Sequence, residues 1–404
     1  MSAKVNAGVG SGRGVNIVNV GIVGGGMMGR EIAAALRRWP ALIDHPVRPR
    51  LTAVADINPR ALEWFKNIDT VRTLVTDYRD LLADPQVDVV YIAVRHDLHE
   101  QMYVDTIRAG KHLLAEKPFG IDSAAADNIV AAIRKVSGSF VRVSSEIPFF
   151  PGAQAAFDFI RSGAIGRIIE AHSSFLHSSD YDLNKPLNWK RQQQFNGRAG
   201  VMNDLGLHAW HVPLRLGWRP ERLYAVLQDL VPFRRGADGE MAPCDTYENA
   251  RILATVRKDG YEFPLTVDTK RIDPGQKNTW ALRVTGLDGA VSFSTKEPKT
   301  LKVLTREPQA ALGSVLAGEQ RWQLIDMGSQ SVWPTVTGGI FETGFSDSIL
   351  QMWAAFLAER EGALGERFGC VTPEEAWTTH RLYDAALASH ERQTVEVPRF
   401  TEAS

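Results

Sequence analysis

The chain has 404 residues, 44% of them hydrophobic and 23% charged, more than the ~250 to 300 residues a single core sustains, which predicts two domains. Forty-six basic against forty-seven acidic side chains leave a formal charge of -1, which excludes nucleic acid and anionic membrane surfaces as electrostatic partners. No apolar run approaches the ~20 residues of a bilayer span, and the two cysteines, Cys244 and Cys370, make neither a disulfide framework nor a zinc spacing.

The first fourteen residues, MSAKVNAGVGSGRG, are rich in Gly, Ala and Ser and are expected to form a mobile tail over 1–14. They hold no apolar stretch of the secretory kind, so a cytoplasmic protein is expected. From Val15 short apolar runs alternate with amphipathic stretches, the pattern of βαβ units and a parallel sheet. The reading gives strands over 51–56, 89–94, 112–115 and 140–144 after a first at 15–23, with helices over 30–38, 100–109 and 123–135. Beyond Pro151 the rhythm changes. A helix over 154–161 and a strand over 167–175 lead through a polar loop to strands at 223–230, 249–256, 263–269, 281–285 and 290–294. Turns such as Lys258-Asp259-Gly260 and Leu287-Asp288-Gly289 make this second sheet mainly antiparallel. Helices near 347–359 and 373–389 close the chain.

Gly24, Gly26 and Gly29 form a G-x-G-x-x-G between the first predicted strand and helix. In such a loop the glycines allow a tight turn, close approach of backbone to a pyrophosphate, and contact of helix with sheet. The helix start, at Met27 and Met28, turns free N–H groups toward the phosphates. Asp56 ends the second strand, where a carboxylate accepts the adenine ribose hydroxyls. It lies 27 residues after Gly29 rather than ~20, a difference assigned to a proline-punctuated insertion over 39–49. A carboxylate there repels a 2'-phosphate, so NAD is favoured; Arg60, four residues on, leaves NADP possible.

The stretch Ala109-Gly-Lys-His-Leu-Leu-Ala-Glu-Lys-Pro-Phe119 resembles the most characteristic string of the Gfo/Idh/MocA oxidoreductases, the family named for glucose-fructose oxidoreductase and inositol dehydrogenase. Ser162-Gly-Ala-Ile-Gly166 and Thr285-Gly-Leu-Asp-Gly289 extend the resemblance, as does Gly200-Val-Met-Asn-Asp204-Leu-Gly-Leu-His208. The resemblance implies an N-terminal Rossmann domain, here 15–147, and a C-terminal α/β domain, 148–404. The second domain's large open, mainly antiparallel sheet would bind substrate and join a homodimer or homotetramer. Within Glu116-Lys117-Pro118 it implies a cis Lys117–Pro118 bond and Lys117 at the nicotinamide and the substrate hydroxyl. Asp204 and His208 stand four residues apart and share a helical face. Imidazole titrates near ~6.5, so His208 suits the role of general base while Asp204 orients the imidazole or the substrate hydroxyl. As a cation, Lys117 would polarise the oxygen.

Three departures stand out. Arg95-His96-Asp97-Leu98-His99 stands where many members carry a Pro-Asn pair, with the family's His99 kept. The resemblance puts this turn beside the nicotinamide ribose, so Arg95 or His96 is expected to reach cofactor or substrate, and Arg95 and His99 are assigned to the cofactor. Ser145-Glu146 stands where Asn and Arg are common. His211 joins Asp204 and His208 at i, i+4 and i+7, a register suited to a metal; the catalytic use of Asp204 and His208 competes, so no metal is expected and His211 is assigned to substrate. In the polar loop 177–200, Tyr181 and Trp189 offer ring faces for a carbohydrate.

The implied activity is hydride transfer between a secondary alcohol of a sugar, glycoside or polyol and a nicotinamide. One alternative is an NAD-recycling enzyme that cleaves glycosides through a transient 3-keto sugar and elimination. Another is a non-catalytic dinucleotide-binding sensor.

Overall fold

The computed structural model describes residues 16–306, 320–328 and 331–401; the expected tail lies outside them. Six strands build the first sheet: β1 (Asn16–Val23), β2 (Val47–Ala55), β3 (Thr73–Val75), β4 (Val89–Ile92), β5 (His112–Ala115) and β6 (Val141–Val143). Their order is β3-β2-β1-β4-β5-β6, and every pairing is parallel. Strand order reverses between β1 and β4, the switch point where a doubly wound sheet opens a crevice at its carboxyl ends. The central strands are buried runs of Val, Ile, Leu and Ala because helices cover both faces. These helices are α1 (Met27–Arg37), α2 (Pro59–Leu62), α3 (Tyr78–Ala83), α4 (His99–Arg108) and α5 (Ser123–Lys135). The start of α5 is set by Asp122, whose carboxylate accepts the Ala125 N–H at 2.9 Å, satisfying one of the helix's orphan donors.

One strand begins earlier than the sequence suggests. β2 starts at Val47, inside the expected insertion, and contains Pro49. The missing N–H is tolerated because β3 pairs with β2 only at Ala53–Ala55, leaving β1 as the one neighbour at Pro49.

The second sheet has eight strands: β7 (Ile168–Leu176), β8 (Pro220–Gln228), β11 (Asn249–Lys258), β12 (Tyr261–Lys270), β13 (Thr279–Gly286), β14 (Gly289–Ser294), β15 (Thr300–Thr305) and β16 (Gln323–Asp326). They run in the order β16-β15-β14-β13-β7-β12-β11-β8, antiparallel except for β7 beside β12. A separate small hairpin, β9 (Phe233–Arg235) and β10 (Met241–Pro243), stands outside it. The expected turn at Asp259-Gly260 joins β11 to β12 with both residues at positive φ, 47° and 81°, as a two-residue hairpin requires.

One face of this sheet packs on α6 (Pro151–Arg161), α8 (Val201–Arg215) and the C-terminal helix Pro373–Arg392. Val226 and Leu253 lie exposed on the other face. A short α7 (Gln193–Asn196) precedes α8. The helix Phe345–Arg360 returns to the first domain and packs on α1. Among the described residues no helix is long and apolar enough to cross a membrane.

Candidate active site

A cavity of about 1040 Å³ opens where the carboxyl ends of β4, β5 and β6 face the start of α8. At one end lies the glycine loop. Gly24 holds φ at 101°, and a side chain there would place its Cβ 2.2 Å from the Ala93 carbonyl, so only glycine fits. Gly26 has no atom within 4 Å of a hypothetical Cβ; that space lies over the start of α1, where no side chain caps the helix. An uncapped helix start beside an open backbone is a cradle for phosphate oxygens. Asp56 closes this end: its Oδ2 accepts the Gly25 N–H at 2.7 Å and its Oδ1 the Asn58 N–H at 2.7 Å. The residues present therefore fit a dinucleotide.

At the other end the two domains meet on one carboxylate. Lys117 follows β5, and its peptide bond to Pro118 is cis, as the resemblance implies. Its Nζ donates to the Asp204 carbonyl at 2.6 Å and to Oδ1 at 3.3 Å. Lys190 donates to the same Oδ1 at 2.7 Å, and Arg271, just past β12, donates to Oδ2. Burial alone would raise the Asp204 carboxyl, yet Lys190, Lys117 and Arg271 together hold it well below the usual carboxylate range. Burial lowers Lys117, but Asp204, Glu116 and Glu146 outweigh it and keep the ammonium charged.

His208 lies one turn along α8 from Asp204 and lines the same cavity. Its Nδ1 meets Ser145 Oγ at 3.1 Å, and its carbonyl accepts the Trp280 indole N–H at 2.9 Å. Burial, then Lys117, hold the imidazole well below its ordinary range, so it is neutral at pH 7. Asp204 does not orient this ring, contrary to one expectation: its carboxylate is taken by three cations and Ser145 engages the imidazole instead. Beneath Lys117, Glu116 accepts from Tyr91 and Ser144, each at 2.5 Å. Burial and neighbouring Glu116 push the Glu146 carboxyl up to about 7.

Of the residues singled out by sequence, Gly24, Gly26, Met27, Met28, Asp56, Arg95, Glu116, Lys117, Trp189, Asp204 and His208 line the cavity. Glu116 does so with its carboxylate turned away, to Tyr91 and Ser144. Four others do not line it. Arg60 sits on α2, outside the lining. His99 is fully buried and ties Pro118 to the loop after β4, its Nδ1 lying 2.7 Å from the Pro118 carbonyl and its Nε2 3.2 Å from that of Val94. It therefore shapes the cofactor crevice without facing it. Tyr181 lines a second, smaller cavity with Lys277 and Lys296. His211 is buried against the Phe368 ring, centroids 4.7 Å apart, because seven residues advance a helix by ~10.5 Å and carry its side chain past the cavity. Among the described residues no group of three His, Cys, Asp or Glu is placed to hold a metal ion.

Sequence reasoning missed Arg271, noted Ser145 only as a departure from the family, and left Lys190 unassigned. Arg271 reaches Asp204 only through the pairing of β12 beside β7, a long-range consequence without a local signal. The loop bearing Trp189 and Lys190 is tied to the α8 turn by Asn196, whose amide donates to the Lys190 carbonyl at 2.8 Å and the Gly200 carbonyl at 3.1 Å. His96 locks that loop to the cofactor side through Asn196 Oδ1 at 2.8 Å and lies edge-on to Trp189.

The sequence of residues 18–144 matches the model of an oxidoreductase family with an NAD-binding Rossmann fold, and residues 153–291 match the GFO/IDH/MocA C-terminal domain. Levoglucosan dehydrogenase of Pseudarthrobacter phenanthrenivorans is 24% identical over 95% of this chain and 99% of its own. A D-xylose 1-dehydrogenase (NADP(+)) of Hypocrea jecorina is 25% identical over 65% of this chain and 69% of its own. Among solved structures, levoglucosan dehydrogenase in complex with NADH and levoglucosan superposes with a TM-score of 0.82 at 23% identity, covering 95% of this chain and all of that one. An oxidoreductase domain protein from Kribbella flavida gives 0.84 at 21% identity, with 95% of this chain and 100% of that one covered. With both of its domains matched and a glycine cradle shaped for a dinucleotide, the chain belongs to the Gfo/Idh/MocA family of NAD-binding oxidoreductases.

Proposed function

We propose that this protein is an NAD-dependent dehydrogenase of a secondary alcohol on a sugar, glycoside or polyol, with Lys117, Asp204 and His208 at the reacting carbon. One observation carries the reading: the Lys117 ammonium from β5 and the His208 imidazole from α8 converge on a single cavity, with Asp204 beside both. Bound NAD would supply the hydride acceptor. The ammonium of Lys117 polarises the substrate oxygen, and Asp204 keeps that ammonium charged and aimed. A neutral His208, with Nδ1 engaged by Ser145, offers its other ring nitrogen to the hydroxyl proton. Asp56 and Asp77, both lining the cavity, favour NAD over NADP by repelling a 2'-phosphate. The nucleotide would be held by 15–147 and the substrate by 148–404, with Trp189 offering its ring to a sugar face.

Relatives named as levoglucosan, D-xylose and inositol dehydrogenases support the carbohydrate class. The outer sheet face with Val226 and Leu253 exposed supports a homodimer or homotetramer. Two free, buried cysteines suit a cytoplasmic setting. The test is a panel of anhydrosugars, aldoses, glycosides and inositols with NAD, read by nicotinamide absorbance. Turnover of at least one member is expected; free aglycone without net NADH would instead select the elimination route, and tight NAD binding without any turnover would select the sensor.

A further inference from the structure

Asp204 is claimed by three cations, and they are not equally held. Arg271 has a second carboxylate, with Nε donating to Asp180 at 2.9 Å, and a guanidinium does not release its proton in proteins. Lys117 adds the Asp204 carbonyl at 2.6 Å, and the negative charges of Glu116 and Glu146 also favour its ammonium. Lys190 depends on the shared Oδ1 alone, its other neighbour being the Trp189 ring at 5.5 Å. Three positive charges on one enclosed carboxylate repel one another, and the repulsion is relieved when the least held of them gives up a proton.

We propose that Lys190 is a further proton-transfer residue of this site: as the free amine it takes the proton released when the substrate hydroxyl becomes a carbonyl, and as the ammonium it returns that proton on reduction. The inference rests on the dehydrogenase reading above. In oxidation the carbinol C–H bond leaves as hydride to the nicotinamide, and the O–H electron pair becomes the second C–O bond. The proton, taken first by His208, ends as the third N–H bond of Lys190, which lines the same cavity. His208 does not suffice as its resting place, since it is 2% exposed and burial with Lys117 disfavours an imidazolium. The Lys190 side chain is 32% exposed, which gives the proton a way to solvent. Partial burial in the cleft, aided by Lys117 and Arg271 and opposed by Asp204, draws the Lys190 ammonium down to about 8. The other titratable groups facing it, His96 and His177, are held neutral, chiefly by burial.

The test pairs turnover with a readout that needs none. In the free protein, the rate of acetylation of Lys190, followed by peptide mass spectrometry against pH, should be half-maximal near pH 8, where an ordinary lysine requires about 10.4. Oxidation by the native enzyme should fall about tenfold for each pH unit below that point. Lys190→Arg keeps a cation on Asp204 but cannot act as the free amine, so it should lose about 100-fold or more in kcat/KM and abolish that limb while still binding NAD. Small amines should restore part of the rate of Lys190→Ala. An acetylation midpoint above pH 10, or an active Lys190→Arg with an unchanged limb, overturns this proposal alone. A protein that turns over no polyol refutes the dehydrogenase reading and the role of Lys190 together.

Discussion

Lys117 and Asp204 join the two domains at the end of the cleft away from the glycine loop: the ammonium donates both to the backbone carbonyl of Asp204 and to its carboxylate, at 2.6 and 3.3 Å. The geometry that aims the lysine is thus also a domain contact. Asp204→Asn keeps the shape and removes the charge, so turnover should fall by roughly 10²- to 10³-fold. Asp204→Ala removes the carboxylate that three cations share and leaves Lys190 without its partner, and urea unfolding should register a loss of about 3–5 kcal/mol, the usual result of breaking a buried pair.

His208→Ala should lower turnover by roughly 10²- to 10⁴-fold, while fluorescence titration finds NAD binding intact. Ser145→Ala should have an intermediate effect. It removes one neutral hydrogen bond to Nδ1, worth about 0.5–1.5 kcal/mol, or a few- to tenfold in rate. Equal defects in the two variants would contradict the assigned roles.

Gly24 and Gly26 should respond differently to alanine. At Gly24 the added Cβ meets the Ala93 carbonyl at 2.2 Å and φ is 101°, so Gly24→Ala should cost about 1–3 kcal/mol of stability as well as nucleotide affinity. Around Gly26 there is open space. Gly26→Ala should therefore leave the melting temperature unchanged and weaken NAD binding by occupying the cradle, a contrast that calorimetry of both variants reads directly.

Acid should unfold the protein earlier than surface charge alone predicts. Burial holds His99 and His177 down to about 4, and keeps His96, His208 and His211 neutral as well. Each imidazole has a folded pKa below its unfolded value of ~6.5, so the unfolded chain binds the extra proton. The stability these groups contribute is complete above that value and is lost as pH falls from 6.5 toward 4, at up to about 1.4 kcal/mol per pH unit for each. Thermal melts between pH 7.5 and 5 should show this slope, and His99→Gln should reduce it.

Much of this was legible in the sequence for local reasons. The strand at His112–Ala115 and the helix at Ser123–Lys135 stand where apolar runs and the Asp122 cap put them. Gly24, Lys117, Asp204 and His208 could be found because each sits in a short motif at a strand end or helix start. The remainder depended on distance along the chain. Nothing near Arg271 signals that β12 will lie beside β7 and aim it at α8. Ser145 looked like the loss of a family asparagine, and its bond to His208 spans 63 residues. His211 satisfied the angular rule for a helix face but not the axial one. Tyr181 belongs to the right loop and turns into the neighbouring hollow.

The return of residues 331–371 to the first domain has a wider consequence. Trp333 donates its indole N–H to the Ile43 carbonyl at 2.8 Å, His45 Nε2 lies 3.0 Å from the Ala354 carbonyl, Arg142 pairs with Glu359 at 2.6 Å, and Val143 bridges to Val371. A gene cut at the crossover near residue 150 would strip the nucleotide lobe of its outer brace, so neither fragment should fold when expressed alone. The two lobes are stitched at the crossover and again by residues 331–371, and any opening of the cleft has to bend that seam rather than swing on a single tether.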